Sequence, residues 1–227
     1  MMTASARRQD LPDLPPLIHQ ALLNPLLLND DLHSLCDASR LYGFGGVGVS
    51  LIHLQTIRQR LGGSGPVKLI AAVGFPFGDL PAELKQAQAE WAAGEGADAL
   101  DVTPNLAALV NGQPNVYAEE LAAIASVDLP ITVVLDVNQL SPEQLALGAE
   151  AALDAGAAAL QAGNGFGGAV TTDQVKHLRQ LTGGRCGLKA AGGIKTLEHA
   201  LNLVEAGATA LGTGHGPALV QALRHSE

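Results

Sequence analysis

Cysteine, aromatic residues and positive charge are all scarce in this chain. Two cysteines, Cys36 and Cys186, stand among 227 residues. They exclude a multi-bridge disulfide framework, and the absence of a CxxC pair fits a reducing compartment. Both read as core or surface thiols rather than catalysts. Lys plus Arg number 13 against 22 Asp plus Glu, a formal charge of −9, which argues against a general nucleic-acid or anionic-membrane binder. An anionic ligand would have to be held by a local positive site, because the global field repels it. No run approaches the ~20 uninterrupted apolar residues of a membrane span. The opening Met1-Met2-Thr3-Ala4-Ser5-Ala6-Arg7-Arg8 also lacks the apolar stretch of a signal peptide. The expected location is therefore cytoplasmic and the expected partner a small molecule. Seven histidines show no HxH or HExxH spacing, so no metal is expected.

Apolar residues are abundant at 47%, with 27 glycines and only 15% charged residues. That composition excludes a disordered chain. A chain of this length buries roughly 70% or more of its unfolded surface, and α/β barrels commonly run to about 250 residues as one domain. Residues 1–16, with Pro12, Pro15 and Pro16, read as a flexible N-terminal arm, and residues 17–227 as the folded unit.

Short apolar runs alternate with longer Ala/Leu/Gln/Glu segments of helical period, the pattern of parallel βα units. Strands are predicted at 17–22, 45–49, 67–73, 99–103, 131–137, 157–162, 187–190 and 209–213. Ser141-Pro142-Glu143, Thr171-Thr172-Asp173 and Thr196-Leu197-Glu198 read as helix starts. Eight units favour a single (β/α)8 TIM barrel, with a doubly wound open sheet as the alternative. An internal echo sets the register: Gly96-Ala97-Asp98-Ala99-Leu100, Gly156-Ala157-Ala158-Ala159-Leu160 and Gly207-Ala208-Thr209-Ala210-Leu211 are one pattern. Each glycine ends a helix and each small-residue run enters a strand. Asp101, Gln161 and Gly212, the next residues, then fall at one depth near the carboxyl ends, where such barrels carry their chemistry.

Glycine-rich turns follow three of the predicted strands. Lys189-Ala190-Ala191-Gly192-Gly193-Ile194-Lys195 and Leu211-Gly212-Thr213-Gly214-His215-Gly216 read as a phosphate cradle, because bare backbone N–H groups can approach an oxyanion closely. Gly163-Asn164-Gly165-Phe166-Gly167-Gly168 could complete the cup. The expected anion contacts are Gly165, Gly192, Gly193, Gly212 and Gly214, with Lys195 and His215 adding donors; the plain alternative is that these are only tight βα turns. Lys189 and Asp101 sit inside apolar strands, where charge is costly unless paired or functional. They read either as a structural ion pair or as a catalytic one. Asp136 is expected to cap the turn that follows its strand. Trp91 and Phe44 read as packing between barrel and helices.

These motifs, in order and spacing, resemble the class I deoxyribose-phosphate aldolases, which are (β/α)8 barrels. The likeness runs from Ile18 to Gly216 and is strongest at Val73-Gly74-Phe75-Pro76-Phe77-Gly78, Gly96 to Asp101, Gly163 to Gly167 and Gly187 to Lys195. It implies cleavage of 2-deoxyribose 5-phosphate into acetaldehyde and glyceraldehyde 3-phosphate through a Schiff base on a strand-6 lysine, without metal or organic cofactor. It also implies that Asp101 corresponds to the proton-relay aspartate and Lys189 to the lysine that depresses the nucleophile's pKa. Where the family has Lys-Thr-Ser-Thr-Gly, this chain has Gln161-Ala162-Gly163-Asn164-Gly165. A carboxamide cannot form an iminium. The family's Asp-His-Thr corresponds to His19-Gln20-Ala21, its Val-Cys-Val to Val47-Gly48-Val49, and its Ser-Ser to Gly214-His215.

Three readings follow. The first is a catalytically impaired barrel, a possible pseudoenzyme, that binds a small phosphorylated aldehyde or sugar. The second is an active aldolase with Lys189 as Schiff base and Asp101 as acid/base. The third is another phosphosugar chemistry, such as enolisation with Asp101 as base. No cofactor is expected, and a homodimer is expected on base rate alone.

Overall fold

Eight short strands, Ile18–Leu22 (β1), Gly46–Val49 (β2), Lys68–Val73 (β3), Ala99–Val102 (β4), Ile131–Leu135 (β5), Ala159–Ala162 (β6), Gly187–Ala191 (β7) and Ala210–Thr213 (β8), pair in sequence order, all parallel. β8 returns to pair with β1 and closes the barrel, as Ile18 faces Leu211 and Gln20 faces Thr213. The structure, a computed structural model, describes residues 12–63, 65–136 and 139–226. The helices among them are Asn29–Tyr42 (α1), Leu54–Leu61 (α2), Ala82–Gly94 (α3), Leu106–Val110 (α4), Pro114–Ala125 (α5), Pro142–Asp154 (α6), Thr172–Thr182 (α7), Leu197–Ala206 (α8) and Gly216–Ser226 (α9). This is the (β/α)8 barrel that the alternating pattern predicts, and the open-sheet alternative falls.

All eight predicted strands are present, with ends that coincide or differ by one or two residues wherever the predicted end lies among the described residues. The predicted end of β5 at Val137 lies outside the described residues. Local chemistry explains the boundaries. Ser141 and Thr171 form capping boxes, each accepting from the third helical N–H while a glutamine side chain returns to the cap N–H. Thr196 caps α8 through His199 N–H. The repeated Gly-Ala motif is a helix terminator: Gly96, Gly156 and Gly207 take φ of +81°, +82° and +117°. Ala97, Ala157 and Ala208 then donate to carbonyls five residues back, at 2.9, 3.0 and 3.0 Å. Those alanines belong to the turn, which is why β6 starts at Ala159 rather than 157.

The core lies between the outer barrel face and the helices, where Leu69, Leu100, Val133, Leu160 and Leu211 are fully buried. Residues 1–11 of the predicted arm lie outside the described residues. Leu14 is fully buried, and Pro15–Leu17 forms a 3-10 turn leading into β1. Phe44 is core as expected, but Trp91 is 59% exposed. It belongs to the outer face of α3, beside the exposed Leu84. α3 does bury a charge: Lys85 has no exposed surface and donates to Glu120 of α5 at 2.9 Å. Glu120 also accepts from Asn105 N–H at 2.8 Å. Burial holds the Lys85 pKa below its usual value, against the pull of Glu120.

Candidate functional site

Inward-pointing side chains at the carboxyl half of the barrel are mostly very small: Ala21, Gly48, Ala72, Ala191 and Gly212. Their size leaves a cavity of about 450 Å³ at the barrel mouth, continued by the loops after β1, β3, β6, β7 and β8. Asp101, Gln161, Lys189, Gly165, Gly192, Gly193, Lys195, Gly212, Gly214 and His215 all line it. The register read from the Gly-Ala echo thus brings its three residues into one space.

The floor is polar. Lys189, 4% exposed, forms an ion pair with Oδ2 of Asp101 across the lumen. The lysine stem passes over Gly212, where an added Cβ would lie 3.2 Å from Lys189 Cε and 2.9 Å from the Ala191 side chain. Asp101 Oδ1 is buried without a hydrogen-bond partner. Gln161, 6% exposed, is the register neighbour of Lys189, and its Nε2 donates to Gly163 O at 2.8 Å.

The rim is a set of turns tied to one another. Val170 N–H donates to Gly192 O at 3.1 Å, linking the loop after β6 to that after β7. Thr213 Oγ1 donates to Ile194 O at 2.7 Å and accepts from His215 N–H at 3.0 Å, linking β7 to β8. Gln20, fully buried on β1, donates to Gly214 O and accepts from Gly216 N–H, both at 3.1 Å. Gly193, at φ +69°, has no room for a side chain, since its Cβ would lie 2.5 Å from Ala169 Cβ. Lys195 and His215 are exposed at the mouth. Asp136 accepts from Gln139 Nε2 at 2.6 Å and from Asn164 Nδ2 at 3.5 Å. It therefore ties its own turn to the β6 loop.

Three features escaped the sequence reading. His19 lines the cavity floor, and Gln20 fastens the last turn. The third is an aromatic group at the mouth, where the Phe166 ring meets Phe75 and Phe77 edge-on at 5.4 and 5.9 Å. The alternation inside β1 places His19 inward, but a lone histidine carries no spacing signal.

His19 is held neutral. Burial first, and the Lys189 ammonium second, lower its pKa from 6.5 to about 4, against the opposing pull of Asp101. Because the unfolded chain takes up the proton first, this stability is complete above about pH 6.5 and is lost as pH falls to about 4. The difference is worth about 3 kcal/mol. Urea melts from pH 7 to 4 should show the wild type losing that much more than His19→Gln. Parallel curves would remove His19 as the cause.

A parallel eight-stranded barrel with paired charges in its lumen and bare-backbone turns at its carboxyl rim defines a class of enzyme-like scaffold that takes small ligands at that rim. Comparison narrows the class. The deoxyribose-phosphate aldolase of Crocosphaera subtropica is 37% identical over 211 residues, covering 92% of this chain and 95% of that one. That of Thermococcus gammatolerans is 33% identical over 221 residues, covering 95% and 98%. The chain belongs to the deoxyribose-phosphate aldolase family. No family model matches it. Among solved structures, the aldolase QR15 superposes with a TM-score of 0.89 at 27% identity, covering 94% of this chain and 96% of that one. The tetrameric deoxyribose phosphate aldolase from Aeropyrum pernix superposes at 0.83 and 25%, covering 92% and 90%.

Proposed function

We propose that this barrel binds a small phosphorylated aldehyde or sugar and is impaired in aldol cleavage, because Gln161 stands where the family resemblance puts the Schiff-base lysine. The carrying observation is that Gln161 lines the cavity beside Lys189 with its amide nitrogen spent on Gly163 O. An amide nitrogen is neither basic nor nucleophilic. The floor amine, Lys189, is engaged by the Asp101 carboxylate, and an ammonium so held has no lone pair for a carbonyl. The phosphate reading is supported by the inter-tied glycine turns, with Gly193 too crowded for a side chain and Lys195 at the mouth. The aldolase relatives support the ligand class.

Borohydride reduction in the presence of acetaldehyde, followed by peptide mapping, tests the impairment. Cavity peptides should carry no adduct. An adduct on Lys189 would establish the second reading, an active lyase using Lys189 as Schiff base and Asp101 as acid/base. Calorimetry with glyceraldehyde 3-phosphate tests the ligand class. Binding is expected, and Lys195→Ala should weaken it by about 1 kcal/mol, the upper end for a solvent-exposed charge pair and below that of a buried charge-assisted contact. Unchanged affinity would remove Lys195 from the site, and no binding by the wild type would end the phosphate reading. Location in the cytoplasm and assembly as a homodimer are part of the same proposal; sedimentation would check the latter.

A further inference from the structure

The cavity floor holds three different acid–base groups: with Gln161 in place of a Schiff-base amine, the roles that the family resemblance implies for Asp101 and Lys189 have no imine to act on, and His19 has no role in the aldolase reading at all. Lys189 is a buried ammonium, and Asp101 is a carboxylate that gives it one oxygen, Oδ2, while Oδ1 has no partner. His19 is an imidazole lining the same cavity, with Nδ1 buried and without a hydrogen-bond partner. His19 and Lys189 sit on β1 and β7, the two strands flanking β8, and Asp101 comes from β4 across the lumen. A buried polar atom without a partner is costly and uncommon, and here two of them belong to residues that line one cavity. Resting on the phosphate-binding reading above, we propose that the site catalyses proton transfer at the carbon next to the carbonyl of a phosphorylated α-hydroxy aldehyde or ketone, interconverting the two through an enediolate, with His19 as a catalytic residue.

The step closes without any oxidant or co-reactant. With a phosphorylated hydroxyketone, the Asp101 carboxylate takes a proton from the hydroxyl-bearing carbon C1. The C–H electron pair becomes the C1–C2 π bond, and the carbonyl pair moves to O2. The Lys189 ammonium stabilises that developing charge, and neutral His19 gives its N–H proton to O2. The resulting imidazolate then takes the proton from the O1 hydroxyl, the O–H pair completes the C1–O1 carbonyl, and the C1–C2 π pair takes back the proton from Asp101 at C2. No bond between carbons breaks, which matches a site with no Schiff-base amine. A neutral imidazole suits the role because it both donates and accepts at adjacent oxygens. The charged and titratable groups facing it in this cavity are Asp101 and Lys189 at the floor, and Lys195 and His215 at the mouth.

The test uses purified full-length protein and dihydroxyacetone phosphate in deuterium oxide. Proton NMR reads carbon-bound exchange, and a coupled dehydrogenase reads the aldehyde product. The wild type should incorporate deuterium well above the protein-free rate, and Asp101→Asn should abolish incorporation. Because Asp101→Asn leaves Lys189 unpaired and can unfold the barrel, His19→Gln, which keeps the ion pair, is the second variant. It should lose isomerisation at least tenfold more than exchange, since it removes the oxygen-to-oxygen shuttle and leaves the carbon base. Equal losses in both readouts would make His19 structural and overturn its role. Exchange that persists unchanged in both variants comes from a contaminant and overturns the proposal. If calorimetry shows binding of dihydroxyacetone phosphate but the wild type gives no exchange, the proton-transfer inference falls while the phosphate reading stands. If there is no binding, both fall.

Discussion

Replacing Gln161 with lysine is expected to raise cleavage of 2-deoxyribose 5-phosphate by orders of magnitude over the parent chain. The position is 6% exposed, lines the cavity and is the register partner of Lys189. A new ammonium there would face an existing one at neighbouring-strand distance in a poorly solvated lumen. Like charges that close favour loss of one proton, and Lys189 already has Asp101 as its partner whereas residue 161 has no carboxylate bonded to it. The neutral amine would therefore fall to residue 161, where a nucleophile is needed to form the imine. The check is a coupled assay for glyceraldehyde 3-phosphate, with borohydride trapping to place the adduct. No gain would mean that Ala21, Gly48 and the turn after β8 have shifted the site beyond repair by one residue.

The largest loss of stability should come from Lys85→Met. Its ammonium and the Glu120 carboxylate, 0% and 2% exposed at their side chains, are each other's compensation. Breaking such a pair from one side strands a buried charge and costs about 3–5 kcal/mol. Denaturant melts should show that loss for Lys85→Met, and most of it recovered in Lys85→Met combined with Glu120→Gln, because the double replacement leaves no charge behind while the Gln oxygen can still accept from Asn105 N–H. A loss under 1 kcal/mol in the single variant would mean that water reaches the pair.

The barrel was legible because its signals are local. Ser141, Thr171 and Thr196 cap helices through atoms within three residues, and the Gly-Ala terminators act within five. The strand-end polar residues were legible too, since a lysine or aspartate in an apolar run stands out whatever surrounds it. Lys85 did not stand out, because Ala82-Glu83-Leu84-Lys85-Gln86 reads as a solvated helix face, and only contact with α5 reveals its partner. Trp91 failed in the opposite direction, its bulk suggesting a core that its helix face does not reach. His19 and Gln20 act across strands that the chain brings together only at closure. The Phe166 contacts join loops about ninety residues apart, which periodicity cannot see.

The hydrogen bonds that join Gln20 to Gly214 and Gly216 span 194 and 196 residues, and they hold the last rim turn on the seam where the barrel's first strand meets its last. The strands β1 to β7 can pair before β8 arrives, yet the rim is not complete until Gly214 and Gly216 dock on Gln20. Contacts of such sequence separation form late in folding, because loop closure must precede them. The turn after β8 is therefore fixed by a residue of β1, and any change that loosens the β1–β8 seam also loosens that side of the rim.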